Sequence, residues 1–290
     1  MAQQENGLLR LGLPKGRMKD GVFKLLSDAG IRINIGQRGY RPTLSMPGFD
    51  TKILKPQNIV EMLHIGSREI GFAGADWVAE LEADLVELLD TELDPVRLVA
   101  AAPTTILEDG KLPARSLWVA SEYEKITRKW IAANKIDATF IRSYGATEVF
   151  PPEDADCIVD NTATGTTLRE NGLRIVDTLM LSSTRLYANP RALDNPAHRN
   201  LIEDFVMILR SVLDARRRVM LEVNVPRDRL EKIVALLPCM RKPTIAPLFG
   251  EEGYAVKAAV PRNGLHDLIP QIKALGGTDI VVTAPDQLVP

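Results

Sequence analysis

The sequence has few of the residues that mark secreted, nucleic-acid-binding or membrane-spanning proteins. Only two cysteines, Cys157 and Cys239, occur in 290 residues, which excludes a disulfide framework or a cysteine-rich metal site. The formal net charge of −2 argues against a nucleic acid as partner. No run reaches the roughly 18 apolar residues that cross a bilayer, so we expect no membrane association. The N-terminal residues lack an apolar targeting segment, and we therefore expect a cytoplasmic protein.

The chain instead has enough apolar residues, 45%, for more than one core. Short apolar runs alternate with helical patterns as far as about residue 215, which indicates α/β layers around a mostly parallel sheet. We predict one lobe from residues 1–102 and 180–215 and a second from residues 103–179, with a cleft between them. Residues 216–290 follow the order βαββαβ, which is typical of a ferredoxin-like domain.

Two crossings of the chain are expected to join the lobes, and three short apolar segments are predicted as strands. Residues 97–102 are predicted as a buried strand that stops at Pro103. Residues 174–178 and 184–188 are predicted as two further, separate strands.

Residues 156–172 (DCIVDNTATGTTLRENG) show the clearest chemical pattern. Asp160 ends an apolar run, and three threonines, Thr164, Thr166 and Thr167, surround Gly165 at the start of a short helical pattern. Hydroxyls, free backbone amides and a permissive glycine suit a phosphate monoester. A carboxylate suits the vicinal hydroxyls of a sugar, so the stretch predicts a ribose 5-phosphate site. The alternative is an Asp-Asn turn with a threonine helix cap.

Other polar residues lie at predicted corners between strands and helices. Lys15 and Arg17 flank Gly16, where two cations suit a pyrophosphate or simply form an exposed basic turn. Asp76 either faces a substrate or caps a helix. Tyr123, beside Glu122, either stacks on adenine or packs at the rim.

Glu148 lies on a predicted short helix. Its carboxylate either binds ribose or Mg²⁺ or has no role beyond that helix. We group Asp76, Glu122, Tyr123 and Glu148 as candidate ATP-binding residues.

Several stretches together resemble the ATP phosphoribosyltransferase family. They occur in that family's order, and the last resembles the signature of its long form, which carries a C-terminal regulatory domain. These stretches are LRLGLPKGRM (9–18), GFAGADWV (71–78), RLVAAAP (97–103), VASEYEKITRKWI (119–131), GATEVFP (145–151), the Thr-Gly stretch above and LLPCMRKPTIAPL (236–248). Two positions depart from the family pattern: Asn161 replaces a commonly apolar residue, and Ala163 replaces a common Ser or Glu.

The resemblance implies two periplasmic-binding-protein-like lobes followed by an ACT-like domain. It implies transfer of the phosphoribosyl group of phosphoribosyl pyrophosphate (PRPP) to N1 of ATP, the first step of histidine biosynthesis. PRPP would lie on Asp160 and residues 164–167, and the pyrophosphate on Lys15 and Arg17. The implied cofactor is Mg²⁺, held mainly through PRPP. The implied assembly is a homo-oligomer of the hexamer-of-dimers type.

The resemblance also implies feedback inhibition by histidine bound to the C-terminal domain. Thr244 is a candidate partner for the histidine carboxylate and Asp279 for its ammonium group, with Asn224 within reach. Two alternative functions stay open. One is a two-lobed small-anion binding protein without chemistry, and the other is a phosphoribosyltransferase with a different base acceptor.

Overall fold

The computed structural model describes residues 7–36, 39–250 and 252–290, and they form two compact units. The larger unit contains residues up to 24 and 31–201; the smaller contains residues 25–30 and 202–290. The predicted C-terminal domain starts at residue 216, inside the smaller unit, and the predicted lobe and domain limits stay predictions. No helix in the described ranges is long and apolar enough to cross a bilayer.

The larger unit alternates strands and helices, as the sequence predicts. In chain order its elements are β1 (Leu9–Pro14), α1 (Met18–Asp28, whose end belongs to the smaller unit), β2 (Ile33–Asn34), β3 (Thr43–Leu44), β4 (Phe49–Leu54), α2 (Pro56–His64), β5 (Ile70–Gly74), α3 (Ala75–Leu81), β6 (Val86–Pro103), β7 (Leu117–Ser121), α4 (Glu124–Ala133), β8 (Ala138–Arg142), β9 (Cys157–Thr162), α5 (Thr166–Glu170) and β10 (Leu173–Ala188).

Eight of these strands form one sheet in the order β4-β1-β5-β10-β6-β9-β7-β8. Strand β1 is parallel to β4 and β5, and β7 is parallel to β8 and β9. Strands β10 and β6 run between these groups and are antiparallel to their neighbours. The α/β class is confirmed. The sheet consists of two groups of parallel strands, and the antiparallel strands β10 and β6 join them.

The antiparallel centre differs from the sequence prediction. Residues 97–102 are the end of an 18-residue strand, and the two segments predicted separately at 174–178 and 184–188 are one 16-residue strand. Register shifts interrupt the pairing of β6 with β10, and Glu92 and Asp94 have positive φ angles. Such irregularities break the alternation of apolar and polar residues, which hides a long strand in the sequence.

The amino-terminal lobe is packed tightly around β5. All five residues of β5 are buried, and α2 packs against it. A Cβ atom on Gly71 would lie 2.5 Å from the Ile59 side chain of α2. The glycine therefore allows the helix to approach the strand closely.

The smaller unit has the predicted βαββαβ order after one long helix. Its elements are α6 (Pro196–Arg217, whose first residues belong to the larger unit), β11 (Arg218–Pro226), α7 (Leu230–Leu236), β12 (Thr244–Pro247), β13 (Gly253–Pro261), α8 (Leu265–Ala274) and β14 (Thr278–Thr283). The strands form an antiparallel sheet in the order β12-β13-β11-β14, which confirms the ferredoxin-like arrangement.

Alternation along β11 separates the two faces of this sheet. Val219, Leu221, Val223 and Val225 are buried in the core, which includes Ile233 of α7 and Ile272 of α8. The intervening residues of β11 therefore lie on the opposite face. This face carries Asn224, one of the candidate effector residues.

Candidate functional site

The loop between β9 and α5 has the backbone geometry that its sequence predicts. Gly165 has a φ of +76°, and its N–H donates to Thr162 Oγ1 at 2.9 Å. The hydroxyls of Thr164 and Thr166 lie 2.9 Å apart, and Thr164, Thr166 and Thr167 are exposed. Helix α5 has only five residues, so its dipole is weak and the loop amides and hydroxyls are the main donors.

This loop forms one wall of a cavity of about 300 Å³. The cavity brings together most of the side chains that the sequence analysis assigned to PRPP. Its lining residues are Arg17, Glu148, Asp160, Asn161, Thr162, Ala163, Thr164, Thr166, Thr167 and Leu168. Arg17 comes from the turn after β1, so both lobes contribute to the cavity.

Asp160 is the most strongly perturbed acid of this cavity. Its carboxylate accepts a hydrogen bond from the Asn161 N–H at 2.7 Å. Burial raises the pKa of Asp160 to about 6; Glu148 and Glu122 push it in the same direction, while the Asn161 amide and Arg17 oppose them. The carboxylate is therefore largely ionised at neutral pH, yet it is poorly solvated and suited to accept hydrogen bonds from a ligand.

The two cations after β1 are not equivalent. Both side chains are exposed, but Arg17 lines the cavity and Lys15 does not belong to the lining. Gly16, with a φ of +77°, turns the chain between them. The structure thus brings Arg17, but not Lys15, to Asp160 and the threonine loop.

Asp76 and Tyr123 are buried, which favours the structural alternative that the sequence left open for each of them over a substrate contact. Asp76 is 3% exposed and Tyr123 is 1% exposed. The Tyr123 hydroxyl donates to Asp76 Oδ2 at 2.8 Å, and the ring stacks on Trp77 with centroids 4.6 Å apart. Adenine stacking needs a free ring face, and a substrate contact needs an accessible carboxylate. The Tyr123 ring has no free face of this kind, and the Asp76 carboxylate is not accessible. Direct contacts of Asp76 and Tyr123 with ATP are therefore not supported, and both side chains are part of the buried packing.

The buried pair belongs to a hydrogen-bonded chain that reaches the cavity. Ser182 Oγ donates to Asp76 Oδ1 at 3.0 Å, and Asn161 Nδ2 donates to the Tyr123 hydroxyl at 2.9 Å. Burial and then the Asp76 charge raise the pKa of Tyr123 above its usual value, so its proton stays on. Asp76 and Tyr123 were each candidate residues from the sequence, but no sequence signal indicated the hydrogen bond between them.

Helices α3 and α4 form a second contact that the sequence analysis missed. The Glu80 carboxylate, on a residue that is 5% exposed, accepts from the N–H groups of Lys125 and Ile126 at 3.1 Å each. Glu82 pairs with Lys125 at 2.8 Å and Lys129 at 2.7 Å, which lowers its pKa to about 2. Lysines four residues apart on one helix face were the only sequence signal for this contact.

The two remaining acids near the cavity differ in position. Glu148 lines the cavity, while Glu122 is half-buried and acts on Asp160 through its charge. The Glu122 carbonyl oxygen accepts from Arg142 Nη1 at 2.6 Å. The negative charges of Glu148 and Glu122 lie close enough to Asp160 to raise its pKa. The three carboxylates therefore influence one another electrostatically.

Comparison with known proteins identifies the family. Residues 55–211, more than half of the chain, match the family described as ATP phosphoribosyltransferase. The chain belongs to the ATP phosphoribosyltransferase family. Residues 215–285 match the C-terminal domain of that family, as expected of its long form. The chain is therefore a pentosyltransferase, and the predicted first step of histidine biosynthesis is confirmed, while inhibition by histidine stays a prediction.

Individual ATP phosphoribosyltransferases are similar over nearly the whole chain. Those of Pelotomaculum thermopropionicum and Pelodictyon phaeoclathratiforme are each 35% identical, over 97% and 95% of this chain and 99% and 95% of their own lengths. In the Thermotoga maritima ATP phosphoribosyl transferase (HisG:HisZ) complex, one chain is similar with a TM-score of 0.63 and 25% identity. That likeness covers 71% of this chain and 99% of the Thermotoga chain.

Phosphoribosyltransferases generally use Mg²⁺, so we asked whether this chain could hold the ion by itself. Within the described ranges, no group of three or more His, Cys, Asp or Glu side chains is arranged to bind a metal. Asp160 and Glu148 share the cavity but do not complete a ligand set. Phosphate oxygens of a substrate are ligands that Mg²⁺ accepts, and entry of the ion with PRPP stays a prediction.

The three candidate effector residues do not form one cluster within the chain. Asn224 Nδ2 donates to Asp279 Oδ2 at 3.0 Å, so these two are together. Thr244 lies on β12, and β13 separates that strand from β11. Thr244 therefore has no contact with Asn224 or Asp279 among the described residues, and β13 lies between them.

Proposed function

We propose that the chain transfers the 5-phosphoribosyl group of PRPP to N1 of ATP, giving N1-(5-phosphoribosyl)-ATP and pyrophosphate, in the cavity beside Asp160. The observation that carries the proposal is the shared lining of that cavity by a half-buried carboxylate, a hydroxyl-rich loop and Arg17. Membership of the family supports the reaction itself.

The loop and Asp160 bind the sugar phosphate in this proposal. Thr164, Thr166, Thr167 and the loop amides, with Gly165 permitting the turn, hold the 5-phosphate. The Asp160 carboxylate accepts hydrogen bonds from the ribose hydroxyls. These hydrogen bonds compensate for the solvation that the carboxylate loses through burial. A hydrogen bond to a charged acceptor contributes about 1.5–3 kcal/mol, enough to orient the sugar.

Arg17 and Lys15 have separate roles on the leaving group. Arg17 neutralises the departing pyrophosphate from within the cavity, and Lys15 does so from the exposed start of the same turn. The bond from C1 to the pyrophosphate oxygen breaks while the N1 lone pair of adenine forms the new C–N bond. That lone pair needs no general base, so catalysis consists of alignment and charge neutralisation.

Two of the predicted ATP-binding residues can contact ATP directly. Glu148 lines the cavity and Glu122 is half-buried beside it. Asp76 and Tyr123 affect ATP only through the side chains that they hold in place. Mg²⁺ supplies further neutralisation of the phosphates when bound, and Asp160 and Glu148 are the carboxylates that would lie nearest to it.

The assay that tests the function uses purified protein with PRPP, Mg²⁺ and ATP. We expect a new ultraviolet absorbance from the N1-substituted adenine and one pyrophosphate released for each product. Parallel reactions replace ATP with other nucleotides or free bases to test the acceptor. PRPP binding without pyrophosphate release under any condition would instead favour a small-anion binding protein.

Regulation by histidine is a separate part of the proposal. We place histidine on Asn224 and Asp279, because these side chains pair on the face of the sheet away from its core. Thr244 can take part only if a second copy of the chain presents it. Histidine inhibition should weaken in Asn224→Ala but not in Lys232→Ala, which changes an exposed residue of α7.

We further propose that the active form is a homo-oligomer that needs no second kind of subunit. The chain carries its own C-terminal domain, and the likeness to the Thermotoga chain covers only 71% of this chain. Light scattering of the purified protein, combined with the assay above, tests this point. Activity that appears only after a different polypeptide is added would contradict it.

A further inference from the structure

Arg169 is a cation next to the threonine loop that the proposed reaction does not use. It lies in the last turn of α5, is exposed, and does not line the cavity beside Asp160. It borders a separate space of about 500 Å³, which Gly165, Leu168 and Arg174 also line. Any role of Arg169 in phosphate binding therefore has to act through the loop itself.

The Arg169 side chain makes two hydrogen bonds to the loop. Its Nη1 donates to the carbonyl oxygen of Thr164 at 3.1 Å, and its Nη2 donates to Thr166 Oγ1 at 3.0 Å. One guanidinium group thus connects the residues directly before and after Gly165. Because the donors of a guanidinium have a fixed spacing, the two contacts together restrict the arrangement of this turn.

Gly165 is the position at which the loop needs such a restraint. Its φ of +76° is a conformation that glycine adopts readily, but glycine also reaches many other conformations. A Cβ atom at this position would lie 3.3 Å from Arg169 Nη1, so the absence of a side chain also leaves room for the guanidinium. The glycine permits the turn, and the contacts of Arg169 limit the freedom that the glycine introduces.

The contact with Thr166 also leaves a hydroxyl proton for a ligand. Thr164 Oγ1 and Thr166 Oγ1 lie 2.9 Å apart, and the two hydroxyls together carry two protons. Their mutual hydrogen bond uses one of these protons. Arg169 donates to Thr166 Oγ1 and so occupies a lone pair rather than the second proton. One hydroxyl proton of the pair therefore stays available to a phosphate oxygen.

We propose that Arg169 is a positioning residue of the PRPP site, which holds Thr164 and Thr166 in the arrangement that receives the 5-phosphate. The inference rests on the proposed function, because it concerns the phosphate that this loop binds. Arg169 does not touch the substrate. It orders the loop in advance, so that less binding free energy is lost in ordering the loop around the phosphate.

The first test is calorimetric binding of ribose 5-phosphate to the full-length protein. We expect Arg169→Ala to bind it about fivefold more weakly, the effect of one net hydrogen bond, while ATP affinity stays the same. Arg169→Lys keeps the charge but lacks the two fixed donors, so it should bind the sugar phosphate little better than Arg169→Ala. Binding like that of the original protein in Arg169→Lys would show that only the charge matters and would overturn the inference.

Two further variants separate positioning from a general effect of charge. Thr166→Val removes one acceptor of Arg169, so Arg169→Ala should cost less affinity in that variant than in the original protein. Arg174 is an exposed cation that lines the same 500 Å³ space without a hydrogen bond to the loop in the described part of the chain. Arg174→Ala should therefore bind ribose 5-phosphate normally. Fully additive losses for Arg169→Ala and Thr166→Val, or an equal loss in Arg174→Ala, would contradict the proposed role.

The second test examines the loop without any ligand. The Gly165 amide is a suitable probe, because it is buried and donates to Thr162 Oγ1 at 2.9 Å. Its hydrogen exchange should be about fivefold faster in Arg169→Ala, while the amides of β9 exchange at their original rates. Weaker binding together with unchanged exchange at Gly165 would mean that Arg169 acts on the ligand directly, and the positioning role would be wrong.

The proposed function can fail separately. Binding of ribose 5-phosphate to the original protein, and its weakening in Asp160→Asn, tests the PRPP site without involving Arg169. If both results are obtained but Arg169→Ala changes neither binding nor exchange, only the role of Arg169 is wrong. If the original protein does not bind the sugar phosphate, the proposed PRPP site and the role of Arg169 are both wrong.

Discussion

At the β5–α3 corner and at the β9–α5 loop, a buried strand is followed by a short helix, and an aspartate lies at the junction. Asp76 at the first site is 3% exposed and bonded to Tyr123 and Ser182. Asp160 at the second is half-buried and lines a cavity beside exposed threonines. An aspartate near the end of a strand is therefore structural or ligand-binding depending on its neighbours. Buried hydroxyls from other elements surround Asp76, whereas a cavity borders Asp160.

The largest expected effect comes from Asp160→Asn. The substitution removes the charged acceptor for the ribose hydroxyls, so PRPP affinity should fall by about 1.5–3 kcal/mol. ATP affinity should change little, whereas thermal stability at neutral pH should rise, because burial makes the ionised carboxylate unfavourable and raises its pKa to about 6. Calorimetric titration of each substrate measures this, with the exposed Asp154→Asn as matched control. Equal losses for both substrates would place Asp160 among the structural carboxylates and remove the contrast with Asp76.

Asp76→Ala should have the opposite profile. It leaves the buried hydroxyls of Tyr123 and Ser182 without an acceptor, which should lower the free energy of unfolding by about 2 kcal/mol. The change in PRPP affinity should be smaller than for Asp160→Asn. Urea unfolding of the variant and of Asp154→Ala gives the comparison. A fully stable Asp76→Ala variant with strongly impaired binding would mean that Asp76 belongs to the binding site after all.

The pH dependence should also distinguish the two sites, because the pKa of Asp160 is raised to about 6. The sugar needs the ionised carboxylate, so PRPP affinity should fall about tenfold between pH 7.5 and pH 5. The raised pKa also means that the folded state favours the protonated form of Asp160. This contribution to the free energy of unfolding is present in full below about pH 4, and it is lost as the pH rises through about 6. Asp160→Asn provides the control, since it keeps the titration of PRPP itself. Parallel profiles for the two proteins would contradict the assignment.

The smallest effects are expected at the contact between α3 and α4. Glu80→Ala removes a buried carboxylate that caps α4, and it should lower the free energy of unfolding by about 1 kcal/mol. Glu82→Ala breaks only exposed ion pairs, so its effect should be smaller still and should vanish in high salt. Urea unfolding at two salt concentrations tests both. A larger loss for Glu82→Ala would show that exposed pairs hold the corner together.

Most local elements could be predicted because their signals are local. Buried strands such as β5 and β9 are short apolar runs, and Gly165 indicates a left-handed turn from its position alone. The long strands β6 and β10 could not be predicted in full. Their register shifts and the left-handed residues Glu92 and Asp94 interrupt the alternation that identifies a strand.

The candidate site was predictable to a similar degree. The threonine loop, Asp160, Arg17 and Glu148 were singled out and share one cavity. The burial of Tyr123 was not predictable, because an aromatic residue after a strand has the same local pattern whether its ring is free or stacked. Its partners Asp76 and Asn161 lie 47 and 38 residues away along the chain.

The α/β class, the βαββαβ order of the C-terminal domain, the threonine loop and the family could all be predicted from the sequence. Each of these depends on residues that are close together in the chain. Only the tertiary structure decided which carboxylate is buried and which faces the cavity. It also decided that Arg17 rather than Lys15 lines the cavity with Asp160. These outcomes depend on burial and on hydrogen bonds between distant strands, whose energies no local stretch of sequence contains.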